Sequence, residues 1–292
     1  MFTVLTAVVF SAGLWLWLLY RYDKVEPESI KTLLYIGLLG GLLSVVPASI
    51  FNDLFRHTAG IQDIPFEEYH TLGNTVLLAF SFFVGINEEI CKAAAAVLLL
   101  RRHRAFNEPI DALIYSMTVA LGFAAFENIF YALREGLDVL VVRSLTAVPL
   151  HMGLASFWGI GIAKAKYLKR GKYFNTVTPY VLAAAAIHGV YDYFVFRLPN
   201  RGMALLIALA LTLTIILISR RRLIYFLGQS SFVEAGTCPY CHTENTMEDL
   251  FCKRCGRSLV QEYLTVCPTC GEKEAGHARF CGKCGEEMES PA

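Results

Sequence analysis

Charge is scarce in this chain. Only 17% of its 292 residues are Asp, Glu, Lys or Arg, and the formal net charge is +1. That balance gives no electrostatic argument for a nucleic-acid partner, and the basic residues are dispersed over loops. Cysteine is nearly missing from the first 237 residues, where Cys91 stands alone, so that part cannot form an internal disulfide. The first apolar run, Phe2–Tyr20, lacks a small-residue cleavage site after it, and its basic residues follow instead of precede. The run is therefore expected to be a retained first span and not a removed leader. No inverted repeat is evident, which counts against a transporter.

What is present is apolar length. Hydrophobic residues make up 55% of the chain, in runs of twenty or so. These predict an all-α polytopic membrane protein with about seven spans, near 2–20, 30–51, 72–100, 110–133, 141–164, 176–196 and 202–219. Alternate loops hold fourteen Lys and Arg against five in the others, which predicts an outside N-terminus and a cytoplasmic C-terminal tail, in the cell membrane. Gly37 and Gly41, with Gly153, Gly159 and Gly161, read as close helix packing. The expected divisions are a helical bundle over 1–222, a juxtamembrane linker over 223–237 and a small domain over 238–286. In the linker, Phe226, Leu227 and Phe232 are expected at the membrane interface.

Against that background a few ionisable residues stand out inside the spans: Glu88, Glu89 and Lys92, then Glu127, His151, and the i, i+4 pair His188 and Asp192. A charged side chain at the bilayer centre costs about 3 kcal/mol on the lenient scale, so the four carboxylates and one ammonium would cost roughly 15 kcal/mol unpaired. Each group has a bland reading by itself, as an ion pair, a protonated acid or a packed imidazole. All would have to be structural at once. On an ideal helix Lys92 projects between Glu88 and Glu89, at about 40° from the first against about 100° for the second. A carboxylate one turn from His188 can orient the imidazole or a metal-bound water. Counting about 1.5 Å per residue places Glu89 and His188 at similar depth, so their side chains can converge.

Glu88-Glu89-x-x-Lys92, Phe123-x-x-x-Glu127-Asn128, a mid-span His151 and His188-x-x-x-Asp192, in that order, resemble the PrsW family of intramembrane proteases over roughly residues 30–220. The resemblance implies an endopeptidase acting on a membrane-anchored protein, such as an anti-sigma factor, within the lipid bilayer. It also implies that these glutamates and histidines bind a catalytic zinc or activate water directly. In the metal version Glu127, His151 and His188 are ligands, Glu88 or Glu89 the base, and Asp192 the orienting group. In the metal-free version a glutamate and a histidine activate water. The metal version is favoured because the second motif carries Glu127 and no dedicated oxyanion donor is visible. The functions weighed against a protease are a non-catalytic membrane scaffold and a proton-coupled transporter using the same acids.

The tail has a different composition. Cys238, Cys241, Cys252 and Cys255 form two C-x-x-C pairs, and Cys267, Cys270, Cys281 and Cys284 repeat the pattern 29 residues later. Paired knuckles of this kind aim four thiolates at one ion, so the tail resembles a double zinc ribbon with two structural Zn²⁺ ions. His242 takes the place of the glycine that usually follows the second cysteine. Disulfides are disfavoured on the expected reducing side, and iron is the minor alternative. The mixed charges of the tail predict a cytoplasmic protein partner and not nucleic acid.

Overall fold

The computed structural model describes residues 1–22, 27–101, 103, 106–168, 173–227, 238, 241, 243–245, 252–257, 264–266, 269 and 273–275. The chain divides into two compact units, Met1–Ser230 and Ser231–Ala292. Among its described residues the regular structure of the first is all helix: α1 (Phe2–Tyr20), α2 (Ile30–Thr58), α3 (Asn74–Leu100), α4 (Pro109–Glu135), α5 (Asp138–Leu145), α6 (Ala147–Ala163), α7 (Tyr173–Arg197) and α8 (Arg201–Leu227). A short 3₁₀ segment, Phe66–Thr71, lies between α2 and α3.

Local chemistry sets the helix ends. Ser29 caps α2 by accepting the Thr32 N–H at 3.1 Å. At the start of α4, Glu108 and Asp111 form a reciprocal capping box with Pro109 in the first turn, and Gly136, at φ +91°, ends the helix. α4 and α6 occupy the centre. Every residue of α6 except Phe157 is buried, whereas α1, α2 and α8 turn large apolar side chains such as Phe10, Leu38 and Leu206 outward. A helix apolar on all sides needs either protein or lipid around it, and this bundle supplies both.

Among the described residues five stretches are long and apolar enough to cross a membrane: Phe2–Tyr20, Ile30–Thr58, Pro109–Glu135, Asp138–Tyr167 and Arg201–Leu227. The protein is therefore an integral membrane protein. α3 and α7, which carry Glu88, Glu89, Lys92, His188 and Asp192, are not among the five.

One expectation is refined and one corrected. The span near 141–164 is among the five, but its helix is interrupted between Leu145 and Ala147, because the Pro149 ring would collide with the Leu145 carbonyl four residues back in a continuous helix. The last helix runs on past residue 219 through Arg220–Arg222 to Leu227, so Phe226 and Leu227 are buried core residues and not interface anchors. Ile215, Ser219, Leu223 and Phe226 continue one buried stripe along α8, which leaves the arginines on its other faces. Phe232 and Val233–Thr237 of the expected linker lie outside the described residues.

In the second unit β1 (Leu264–Val266) pairs antiparallel with β2 (Lys273–Ala275), Leu264 opposite Ala275.

Candidate active site

α3 and α7 touch backbone to backbone. A Cβ on Gly85 would lie 2.6 Å from the Ala185 carbonyl oxygen and 2.8 Å from the Gly189 nitrogen, and one on Gly189 would lie 2.9 Å from the Phe82 Cα. Only glycine permits this approach, and it sits one turn from Glu88 and Glu89 and beside His188. The side chains accordingly meet. His188 Nδ1 is 3.0 Å from Glu89 Oε1, and His188 Nε2 is 3.8 Å from Glu88 Oε2 and 3.6 Å from Asp192 Oδ2.

Lys92 is fully buried and uses all three donors: to Glu89 Oε1 at 2.9 Å, Glu88 Oε2 at 3.3 Å and His151 Nδ1 at 2.8 Å. The Phe123 ring lies 4.1 Å from its ammonium. These contacts fix the His151 tautomer. An ammonium only donates, so His151 Nδ1 holds a lone pair and its Nε2–H points to Glu127 Oε2, 3.2 Å away. A carboxylate only accepts, so His188 Nδ1 carries a proton, and Nε2 faces the Glu88 and Asp192 carboxylates.

The two adjacent glutamates are thus differently placed. Glu89 is wholly enclosed, one oxygen held by Lys92 and His188 and the other accepting from the Trp158 indole at 3.0 Å. Glu88 lines a cavity of about 320 Å³ together with Glu127, His151, His188, Asp192 and Arg143. Asn52 donates to its outer oxygen at 3.2 Å, and Asn87 braces Asn52 at 2.8 Å.

Arg143 is the residue the sequence did not single out. An arginine near a span end reads as a loop charge. The Pro149 break gives α5 its own course, and the Arg143 guanidinium donates to Glu127 Oε2 and Asn128 Oδ1, each at 2.6 Å, while lying 3.8 Å over the Tyr131 ring. The pair is largely buried, so Glu127 is neutralised within the fold. Trp158 and Asn52 were likewise passed over, being unremarkable as an apolar aromatic and a helical amide. An indole N–H inside an apolar helix was the available signal, since such a donor needs a buried acceptor.

One group of residues is close enough to share a divalent ion, although both ring nitrogens of His151 are engaged by Lys92 and Glu127. Ligand atoms of Glu88, His151 and His188 all lie within 4.8 Å of one another. Ligands of one tetrahedral zinc stand about 3.4 Å apart for bonds of about 2.1 Å. Glu88 Oε2, His188 Nε2 and Asp192 Oδ2 all face one spot, and Asp192 Oδ2 is buried without a hydrogen-bond partner. Glu127, expected as a ligand, stands outside this set, held by Arg143 and His151.

In the second unit the Sγ atoms of Cys238, Cys241, Cys252 and Cys255 lie within 4.8 Å of one another. Separations of 3.6 Å for Cys238–Cys255 and 3.5 Å for Cys241–Cys252 are far beyond a disulfide bond but suit the edges of a four-thiolate zinc tetrahedron. Burial acts to raise the Cys252 thiol, yet backbone N–H groups of Cys255 and Arg254 aimed at its sulfur bring it down to about 6. Gly256, at φ +68°, completes that knuckle. Cys267, Cys270, Cys281, Cys284 and His242 lie outside the described residues.

Comparison with known proteins agrees with both halves. Residues 28–219 match the family described as PrsW family intramembrane metalloprotease, and residues 238–285 match the double zinc ribbon. Among curated proteins, Protease PrsW of Geobacillus kaustophilus is 31% identical over 194 residues, covering 66% of this chain and 80% of the relative. Protease PrsW of Clostridioides difficile is 32% identical over 180 residues, 59% of this chain and 70% of the relative. Protease PrsW of Bacillus subtilis is 26% identical over 200 residues, 68% and 86% respectively. No solved structure matches.

Proposed function

The chain belongs to the PrsW family of intramembrane metalloproteases and is a peptidase, and from that premise we propose that it cleaves a membrane-anchored protein by attack of water activated in the cavity beside Glu88. The observation that carries this reading is the meeting of Glu88 Oε2, His188 Nε2 and the unpartnered Asp192 Oδ2.

Glu88, His151 and His188 are the residues that would hold zinc. Bound there, zinc lowers the pKa of its water to about 7 and polarises the scissile carbonyl. Glu89 is a positioning residue: it receives the His188 Nδ1 proton and so aims Nε2 into the cavity, the arrangement that orients metal-bound imidazoles. Asp192, with a free oxygen on the cavity, takes the proton of the attacking water and returns it to the leaving amine. Arg143, which also lines the cavity, supplies N–H donors for the charge that develops on the carbonyl oxygen.

One contact favours a metal-free version. Lys92 donates to His151 Nδ1, and Glu127 receives the other nitrogen's proton, so both ring positions of His151 are already engaged. In that version Glu88 is the base and His188 a proton carrier.

We further propose that α3 and α7 cross with the other five stretches, making seven crossings. At 27 and 25 residues they are about 40 and 37 Å long, enough for a hydrocarbon core of about 30 Å. The charge asymmetry supports an outside N-terminus and a cytoplasmic tail in the cell membrane. The ribbons would hold two structural zinc ions and contact a cytoplasmic protein.

The test is a contrast between neighbours. Glu88→Gln should abolish processing of co-expressed single-span proteins while the protein accumulates normally. Glu89→Gln should lower both processing and folded protein, because buried Lys92 loses its closest carboxylate. Full processing by Glu88→Gln would end the assignment.

A further inference from the structure

The cavity that holds Glu88 and His188 reaches the outside of the bundle. α4 contributes Phe130 and Leu133 to its lining, and each is 54% exposed. Across from them the lining comes from Ser49, Asn52 and Asp53 of α2. Nearer their N-terminal ends the same two helices leave no gap. A Cβ on Gly41 or Gly122 would run into the facing backbone, and from there Val45, Ala48 and Phe123 form the inner lining of the cavity. The pair is joined at one end and parted at the other, and the parted end leads from the lipid-facing surface to the acids. Pro47 lies in α2 near the start of the parting. Its missing N–H leaves the Leu43 carbonyl without a helical partner, which eases bending there.

The cavity has a chemical preference at its rim. Phe66 of the 3₁₀ segment stacks on Tyr131 and on Phe196, with the Arg56 and Arg134 guanidinium carbons 5.0 and 5.2 Å from its ring centre. Arg56 is committed, donating to Tyr69 and the Gln62 carbonyl and lying 3.5 Å from Asp53. Arg134 lines the cavity, is exposed, and makes no ion pair among the described residues.

We propose that the parting between α2 and α4 is where substrate docks: a membrane-spanning helix lies against it, and the unwound segment beyond, carrying an acidic side chain, enters the cavity toward Arg134. The apolar flanks suit the helix, and a guanidinium that lies over Phe66 without an ion pair among the described residues suits the carboxylate. This rests on the peptidase reading above, and its test separates the two.

The probe is a single-span reporter with a leucine–alanine helix followed, on the non-cytoplasmic side, by a short segment bearing either two aspartates or two lysines. A photoreactive benzoylphenylalanine is placed at Phe130 or Leu133, and for comparison at Leu206 or Leu213 on the exposed side of α8. The experiment is run in the Glu88→Gln protein and in the otherwise unaltered protein, so neither result depends on one variant folding. Adducts should form at Phe130 and Leu133 well above those on α8. They should favour the aspartate reporter by about fivefold, the scale of a partly exposed charge pair. Arg134→Glu should reverse that preference. Equal or stronger adducts on α8 overturn the docking site, and a preference unmoved by Arg134→Glu overturns the role of Arg134. A reporter that crosslinks at Phe130 yet is never cut by the unaltered protein counts against the peptidase reading and leaves the docking site standing.

Discussion

Arg143 couples three groups through one side chain. Its guanidinium holds Glu127 and Asn128, and Glu127 in turn receives the His151 proton. Removing one member of a buried ion pair typically costs 3–5 kcal/mol, because the other charge is left unpaired. Arg143→Gln should therefore lower both the melting temperature in detergent and the processing of a substrate. Arg143→Lys keeps the charge but loses the two-pronged geometry, so it should melt close to the unaltered protein while processing more slowly. Equal melting for Arg143→Gln would show that the pair contributes nothing to the fold. At this scale the sequence was legible wherever charge broke an apolar run. Glu88, Glu89, Lys92, Glu127, His188 and Asp192 were conspicuous for that reason, and the expected meeting of Glu89 and His188 is a 3.0 Å contact. Arg143 was not, because near a helix end a cation has a second explanation in snorkelling to the interface. Nor does composition tell Glu88 from Glu89. That difference arises from which of the two faces Trp158.

At the scale of elements, the joint between α3 and α7 sets the reach of the site. Gly85→Ala would place a methyl against the Ala185 carbonyl and the Gly189 amide, with backbone on both sides and no flexible neighbour to yield. Overpacking of this kind costs about 1–3 kcal/mol. The helices should separate, so processing should fall sharply although every ionisable group is retained. Gly13→Ala, where nothing lies within 4 Å of the new methyl, is the control and should leave processing unchanged. Seven spans were expected from hydropathy; helices lie at those positions, and five stretches among the described residues are long and apolar enough to cross a membrane. The joint between α3 and α7 could not be read in advance, although that between α2 and α4 at Gly37 and Gly41 could. Gly37, Gly41, Gly153, Gly159 and Gly161 have the spacing of packing glycines, whereas Gly85 and Gly189 are single glycines whose partners lie on distant segments. The break before α6 was readable from Pro149 and was missed because hydropathy continues across it.

For the whole molecule, metal content separates the two mechanisms. The full chain purified under reducing conditions should carry three zinc ions per molecule if Glu88, His151 and His188 hold one, and two if the ribbons alone do. His188→Ala should reduce the count by one in the first case and leave it unchanged in the second. Chelation should unfold the ribbons in either case, since so short a segment has little core without metal. Protease digestion of the tail before and after chelator measures that directly, and a tail equally resistant in both would refute it. The tail's cysteine spacing made its fold plain from the sequence, because four thiolates around an ion leave few alternatives.

The contact between Gly85 and Gly189 also decides which parts of the enzyme can move. Two backbones in van der Waals contact have no side-chain cushion to compress or rotate, so α3 and α7 must travel as one rigid plate. Whatever adjustment a substrate demands then falls on the opposite wall, where α2 carries a proline and its gap to α4 widens. Glu88, His188 and Asp192, which those two helices carry, would hold their spacing like an anvil, while the far wall does the yielding.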